Sequence, residues 1–149
     1  MSEIDFEGTG TGGSFTRVAV PDDAYEAVVI GVEDKPVVTK GQFGERKRLI
    51  LKWKLATGEE ITEFLSPDVR KGSGAFQSTS TYVLLERANL LGELKNAVGL
   101  KTKIDDLELI DFLRRKLVSK KALVMTSTVR PKDGTQPYSL VKTVIKFTA

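Results

Sequence analysis

The residues of this sequence that are most able to do chemistry are basic, and they alternate along residues 45–55, Glu-Arg-Lys-Arg-Leu-Ile-Leu-Lys-Trp-Lys-Leu. Side chains alternate between the two faces of a β-strand. After Lys47, one face would hold Leu49, Leu51, Trp53 and Leu55. The other face would hold four cations around Ile50, namely Arg46, Arg48, Lys52 and Lys54. An outer face whose charges are all positive attracts a polyanion.

Aromatic residues near these cations could stack on nucleic-acid bases, because every base has a π-face and stacking tolerates any sequence. The candidates are Phe43 in the preceding loop, Phe64 on the next predicted strand and Tyr138 on the last one. For each of them, packing in the core is the alternative interpretation. Trp53 shares the parity of the strand's leucines, so we expect it in the core.

Two loops carry further cations that would close over a bound strand. Lys35 and Lys40 lie in the predicted loop 34–44, and Arg130 and Lys132 lie in the predicted loop 130–137. For each of these four cations, the alternative is that it is an ordinary solvated surface residue.

Composition excludes the chemistry that depends on cysteine or histidine, because the chain contains neither residue. Disulfides, thiolate nucleophiles, histidine bases and the usual zinc, haem and iron–sulfur ligands are therefore absent. Acidic pairs occur at residues 22–23, 59–60 and 105–106. Each pair lies at a predicted turn or helix start, where acids are common without function. A carboxylate and Mg²⁺ nuclease is thus the weakest alternative, and we predict neither an enzyme nor a cofactor or metal.

The net charge of +3 conceals a division along the chain. Residues 1–34 contain eight acids and one base, whereas residues 35–149 contain 22 bases and 12 acids. We predict a flexible acidic and glycine-rich arm over residues 1–20 and one basic domain over residues 21–149. The alternative to a solvated arm is that Glu3, Asp5 and Glu7 fold back and compete with the ligand.

The elements that must position these residues follow from periodicity and turn signals. Strands are predicted at residues 24–33, 45–55, 60–65, 121–129 and 138–147, with Gly31 marking a bend or bulge. A helical insertion over residues 81–117 contains a helix at 81–98 and a second helix capped by Asp105. The apolar set of the second helix is Leu107, Ile110, Leu113 and Leu117.

This order, β-β-β-α-α-β-β, is that of an OB-fold, so the predicted class is mainly β with helices, a five-stranded OB-fold-like barrel. That fold binds oligonucleotides or oligosaccharides across strands 2–3 and the loops joining strands 1–2 and 4–5. The cations described above fall at those places, and so do the aromatics Phe43 and Phe64.

The chain also resembles a group of small bacteriophage proteins that are similar to single-stranded-DNA-binding OB-fold proteins and are often encoded among replication or recombination genes. The resemblance covers roughly residues 20–148 and is carried by residues 24–30, 43–46, 49–55, 62–65, 84–100 and 120–129. It implies sequence-tolerant binding of single-stranded DNA, with RNA as an open alternative. One departure is the end Ile-Lys-Phe-Thr-Ala, which lacks the acidic tail that recruits partners to bacterial single-strand-binding proteins.

Two further expectations concern partners and location. A protein–protein adaptor in a phage replication or recombination complex is the alternative function, with the helices as its docking surface. Pairing of edge strands would give a homodimer. The N-terminus is not a secretory signal, and no apolar run approaches the roughly 20 residues of a membrane span. We therefore expect a cytoplasmic protein, of a bacterial host if phage-encoded, with no membrane partner.

Overall fold

The computed structural model describes residues 18–41, 44–75, 77–98, 104–131 and 134–148. Within these ranges it contains six strands and three helices, which confirms the mixed α+β class with more strand than helix. The strands are β1 (Ala24–Val32), β2 (Val37–Gly41), β3 (Gly44–Leu55), β4 (Glu60–Leu65), β5 (Lys121–Val129) and β6 (Tyr138–Phe147). The helices are α1 (Ser80–Arg87), α2 (Leu91–Val98) and α3 (Asp106–Leu117).

Five of the strands form a ring of hydrogen-bonded neighbours in the order β1-β3-β4-β6-β5. β1 pairs antiparallel with both β3 and β5. The antiparallel pairs β3–β4 and β5–β6 continue the ring on either side. A parallel contact between Thr62 of β4 and Leu140 of β6 closes it. The ring therefore has an inner face, which holds the core, and an outer face.

β1 bends where the sequence predicts it. Its register against β3 shifts between Val29 and Gly31. A bulge of this kind bends a strand and increases its twist. The bend lets β1 pair with β3 on one side and β5 on the other, as ring closure requires.

β2 corrects the prediction of a loop over residues 34–44. Val37 pairs with Arg48 of β3, and the ladder runs to Gly41 opposite Gly44. The β-branched residues that follow Pro36 favour extended backbone. Gly44 adopts a φ of +97°, a conformation that glycine allows at a tight reversal. In the described part of the chain β2 bonds only to β3, so it extends the sheet outside the ring.

The predicted helix over residues 81–98 is divided into α1 and α2. The chain turns at Asn89, whose φ of +59° is left-handed. Asparagine tolerates this conformation better than most residues do. Leu84, Leu85, Leu90 and Leu94 are all buried in the core. The apolar periodicity survives the break, which is why the sequence pattern did not reveal it.

α3 begins as predicted, because the Asp105 carboxylate accepts hydrogen bonds from the backbone N–H groups of Leu107 at 3.0 Å and Glu108 at 3.4 Å. Its buried residues join those of the ring's inner face in one core. The predicted apolar set is wrong at Leu107, which is 61% exposed. No helix in the described ranges is long and apolar enough to cross a membrane.

Residues 18–20, which the sequence assigns to the flexible arm, are held along β6. The Val18 carbonyl accepts a hydrogen bond from Ser139 N at 2.7 Å. Val20 N donates to Ser139 Oγ at 2.9 Å, and the Val20 side chain is buried. The rest of the predicted arm, including Glu3, Asp5 and Glu7, lies outside the described residues.

Candidate functional site

The two faces of β3 are confirmed. Leu49, Leu51, Trp53 and Leu55 are buried in the core. On the opposite side Arg46 and Lys54 are exposed, whereas Arg48 and Lys52 are half-buried. Antiparallel pairing sets Ile50 of β3 beside Phe64 of β4, and Lys52 beside Thr62. We call this surface the β3–β4 outer face, and it comprises Arg46, Arg48, Ile50, Lys52, Lys54, Thr62 and Phe64.

An outer apolar cluster lies on this face. Its buried members are Val37, Ile50 and Tyr138, and the half-buried Phe64, Val129 and Leu140 pack against them. The cluster draws side chains from five strands, β2 to β6. It explains why Ile50 interrupts the cations of β3, and it fixes β2 and the ends of the β5–β6 hairpin beside them.

Arg48 is a cation that its surroundings leave poorly compensated. Burial lowers the pKa of the Arg48 guanidinium, and the positive charge of Arg46 lowers it further. No carboxylate among the described residues forms an ion pair with Arg48. An anion placed over the two arginines would offset both effects.

Lys52, by contrast, already has a counterion. Its Nζ lies 2.5 Å from Glu33 Oε1, and the two side chains are only 26% and 22% exposed. The two groups are close enough for an ion pair, although Glu33 Oε1 makes no well-aligned hydrogen bond. Glu33 follows the end of β1, so this pairing depends on tertiary structure. Of the four predicted cations, Lys52 is thus paired with a carboxylate, whereas Arg48 and Lys54 form no ion pair with a carboxylate of the described residues.

Four other basic side chains, one on β3 and three on α3, form ion pairs with carboxylates of the protein. Lys47 Nζ lies 2.8 Å from Asp106 Oδ2, and this hydrogen bond raises the pKa of Lys47. The three cations at the end of α3 also have partners, in the pairs Arg114–Asp34, Arg115–Asp111 and Lys116–Glu93. Lys47, Arg114 and Lys116 thus join different elements, Arg115 pairs within α3, and none of the four is part of the outer face.

The four predicted loop cations differ in where they lie. Lys35 is exposed between β1 and β2, two residues before the clustered Val37. Arg130 is exposed just after β5, next to the clustered Val129. Both loops thus flank the outer apolar cluster. The backbone of Lys40 lies in β2 opposite Glu45, whereas Phe43 and Lys132 fall outside the described residues.

The predicted stacking residues also differ from one another. Phe64 is half-buried and packs against the outer apolar cluster, so part of its surface stays accessible. Tyr138 has no exposed surface, which contradicts its predicted role as an exposed stacking residue. The reason is that Tyr138 packs in the outer apolar cluster with Val37 of β2 and Ile50 of β3.

Sequence reasoning missed a buried acid on the inner face of β4. Glu63 is 5% exposed, and its Oε1 accepts a hydrogen bond from Trp53 Nε1 at 2.9 Å. Burial raises the pKa of Glu63 to about 7, although the Trp53 hydrogen bond and the charge of Arg87 oppose the shift. Its parity with Ile61 and Leu65 was the available signal. Glu63 faces the core, so it does not contact a ligand on the outer face.

Comparison with known proteins leaves the site to be interpreted on its own chemistry. No protein-family model matches the chain, and no curated protein is significantly similar to it. Across the residues that the structure describes, no three side chains of metal-ligating type come together. The polar groups gathered on the β3–β4 outer face are mainly cations, which suit an anionic ligand.

Proposed function

We propose that this protein binds single-stranded nucleic acid, single-stranded DNA in the first place, through the β3–β4 outer face and with little sequence preference. The observation that carries the proposal is that Arg46, Arg48 and Ile50 follow one another on the outer face of β3 and that the half-buried Phe64 lies directly opposite Ile50. Cations that follow a phosphate backbone and an aromatic ring that stacks on bases are the two components of sequence-tolerant single-strand binding.

In the proposed mechanism, Arg46, Arg48 and Lys54 contact successive phosphates and release their counterions. A base stacks on the outward part of Phe64, which is worth about 1–3 kcal/mol. Lys35 and Arg130 approach the strand from the two flanking loops. Lys52 contributes less, because Glu33 compensates its charge.

The ring order β1-β3-β4-β6-β5 supports an OB-fold. In that fold the second and third barrel strands and the adjoining loops form the oligonucleotide-binding surface. Here those strands are β3 and β4, which carry the cations and Phe64. An accessory role in phage replication or recombination, and a choice of DNA over RNA, extend the same proposal.

The alternative function, an adaptor that docks proteins through its helices, has weaker support. Such a surface would need several exposed apolar residues along α3. Leu107 is exposed, but Ile110, Leu113 and Leu117 are buried in the core. A single exposed leucine does not make a docking face.

The proposal is tested with the paired substitution Arg46→Gln and Arg48→Gln. Wild type and variant are titrated onto fluorescein-labelled oligo-dT at several salt concentrations, with anisotropy as the readout. Each lost phosphate contact should reduce the salt slope of log K by about 0.7, so the pair should reduce it by about 1.4.

The matched control neutralises two exposed lysines that do not belong to this face, Lys71→Gln with Lys95→Gln, and removes the same charge. We expect the control to keep most of the wild-type affinity. If the two variants lost the same affinity for oligo-dT, the effect would depend only on net charge and not on the β3–β4 outer face. Unchanged binding by the arginine variant would contradict the assignment of the site.

A further inference from the structure

A second basic feature lies on the outer side of the ring, across β1 from the β3–β4 outer face. It is a groove of about 340 Å³ whose lining includes Glu26, Val28, Lys54, Ala56 and Lys121. We call it the β1 groove. Its volume falls within the range of roughly 300–1,000 Å³ that is typical of small-ligand pockets.

The strand register places two lysines on opposite walls of the groove. Val28 of β1 pairs with Lys54 of β3 on one side and with Lys121 of β5 on the other. Neighbouring strands are about 4.8 Å apart, so the two lysine Cα atoms lie roughly 10 Å from one another. Flexible lysine stems can bring both ammonium groups to one phosphate or to two successive ones.

The two lysines of the groove are not neutralised by ion pairs with the described residues. Lys54 and Lys121 are both exposed, and neither forms an ion pair with a described residue. Among the described residues that line the groove, Glu26 is the one acid, so there two cations face one carboxylate. Val28 and Ala56 give the floor an apolar surface, which suits a ligand that carries both an anionic group and an apolar face.

The groove is continuous with the proposed binding face, because Lys54 belongs to both. We propose that the β1 groove is a second nucleotide subsite, in which Lys54 and Lys121 hold the phosphates of a strand that has left the β3–β4 outer face and crosses β1. This inference rests on the proposed function. It adds a direction to the path of the strand, around the ring toward β5.

The test uses Lys121→Gln, because Lys121 lines the groove and is not part of the β3–β4 outer face. Oligo-dT of about 8 nucleotides and of about 30 nucleotides are compared, the first within and the second beyond the roughly 4–16 nucleotides that one OB fold occupies. We expect the variant to bind the longer strand several-fold more weakly, with a salt slope smaller by about 0.7. The shorter strand, held on the β3–β4 outer face, should bind as it does to wild type.

Lys95→Gln on α2 is the matched control, and thermal unfolding verifies that each variant is folded. If wild type binds the longer strand and Lys121→Gln binds it equally well, the subsite is refuted and the proposed function stands. An equal loss on both lengths also refutes it, because Lys121 would then act on the primary face. If wild type binds neither length, the proposed function fails and the subsite falls with it.

Discussion

At the scale of single residues, Glu63 is the clearest case of a side chain whose environment changes its chemistry. The carboxyl group lies in the core beside Trp53, and burial raises its pKa from 4.5 to about 7. Between these two values the folded protein binds more protons than the unfolded chain. The contribution of Glu63 to the free energy of unfolding therefore falls as pH rises from about 4.5 to about 7, and it is constant above that range.

We predict that Glu63→Gln removes this dependence, since glutamine still accepts the Trp53 hydrogen bond but does not ionise. The stability difference between variant and wild type should shift in favour of the variant by up to roughly 3 kcal/mol between pH 4.5 and pH 8. Urea unfolding of both proteins across this range measures it. Trp53 is the only tryptophan, so its fluorescence also reports the titration directly. Parallel stability curves for the two proteins would show that Glu63 does not titrate near neutrality.

The cations of β3 show how far residue-level prediction extends. Alternation alone placed Arg46, Arg48 and Lys54 on the outer face, because strand geometry fixes which side a residue faces. It could not show that Lys52 is paired with Glu33, since that contact joins the middle of β3 to the end of β1. Nor could it show that Tyr138 is covered, because β2 was not predicted as a strand.

At the scale of elements, long periodic stretches were predicted well and short interruptions were not. β3 and α3 each have one apolar face, and the turn residues or caps at their ends indicate the same element as the apolar pattern does. The break between α1 and α2 needs only Asn89 in a left-handed conformation, and the leucines on either side remain buried. β2 has only five residues and depends on pairing with β3, so it has no strong local signal.

The break at Asn89 can be tested by the order of two substitutions. In a continuous helix alanine is more stable than glycine by about 1 kcal/mol. At a left-handed position the order reverses, because a Cβ costs about 1–2 kcal/mol there. We therefore predict that Asn89→Gly unfolds at a higher urea concentration than Asn89→Ala. The opposite order would support the single helix that the sequence pattern predicted.

At the scale of the whole molecule, the ring places the basic residues of the β3–β4 outer face and of the β1 groove on its outer side. β1 pairs with both β3 and β5, so the β3–β4 outer face and the β1 groove are neighbours on one continuous surface. The other cations of β3 and α3 described above are bound to carboxylates. Of the cations on these two elements, Arg48 and Lys54 form no ion pair with a described residue, and both lie on the outer side of β3.

The most direct test of the central claim is a competition experiment with the wild-type protein. A labelled oligo-dT of about 30 nucleotides is displaced by unlabelled single strand or by duplex of equal length, at low and at high salt. We predict that single strand competes at much lower concentration than duplex, and that affinity falls with salt by about 0.7 in log K per log salt for each phosphate bound. Failure to bind the single strand, or equal competition by the duplex, would contradict the account.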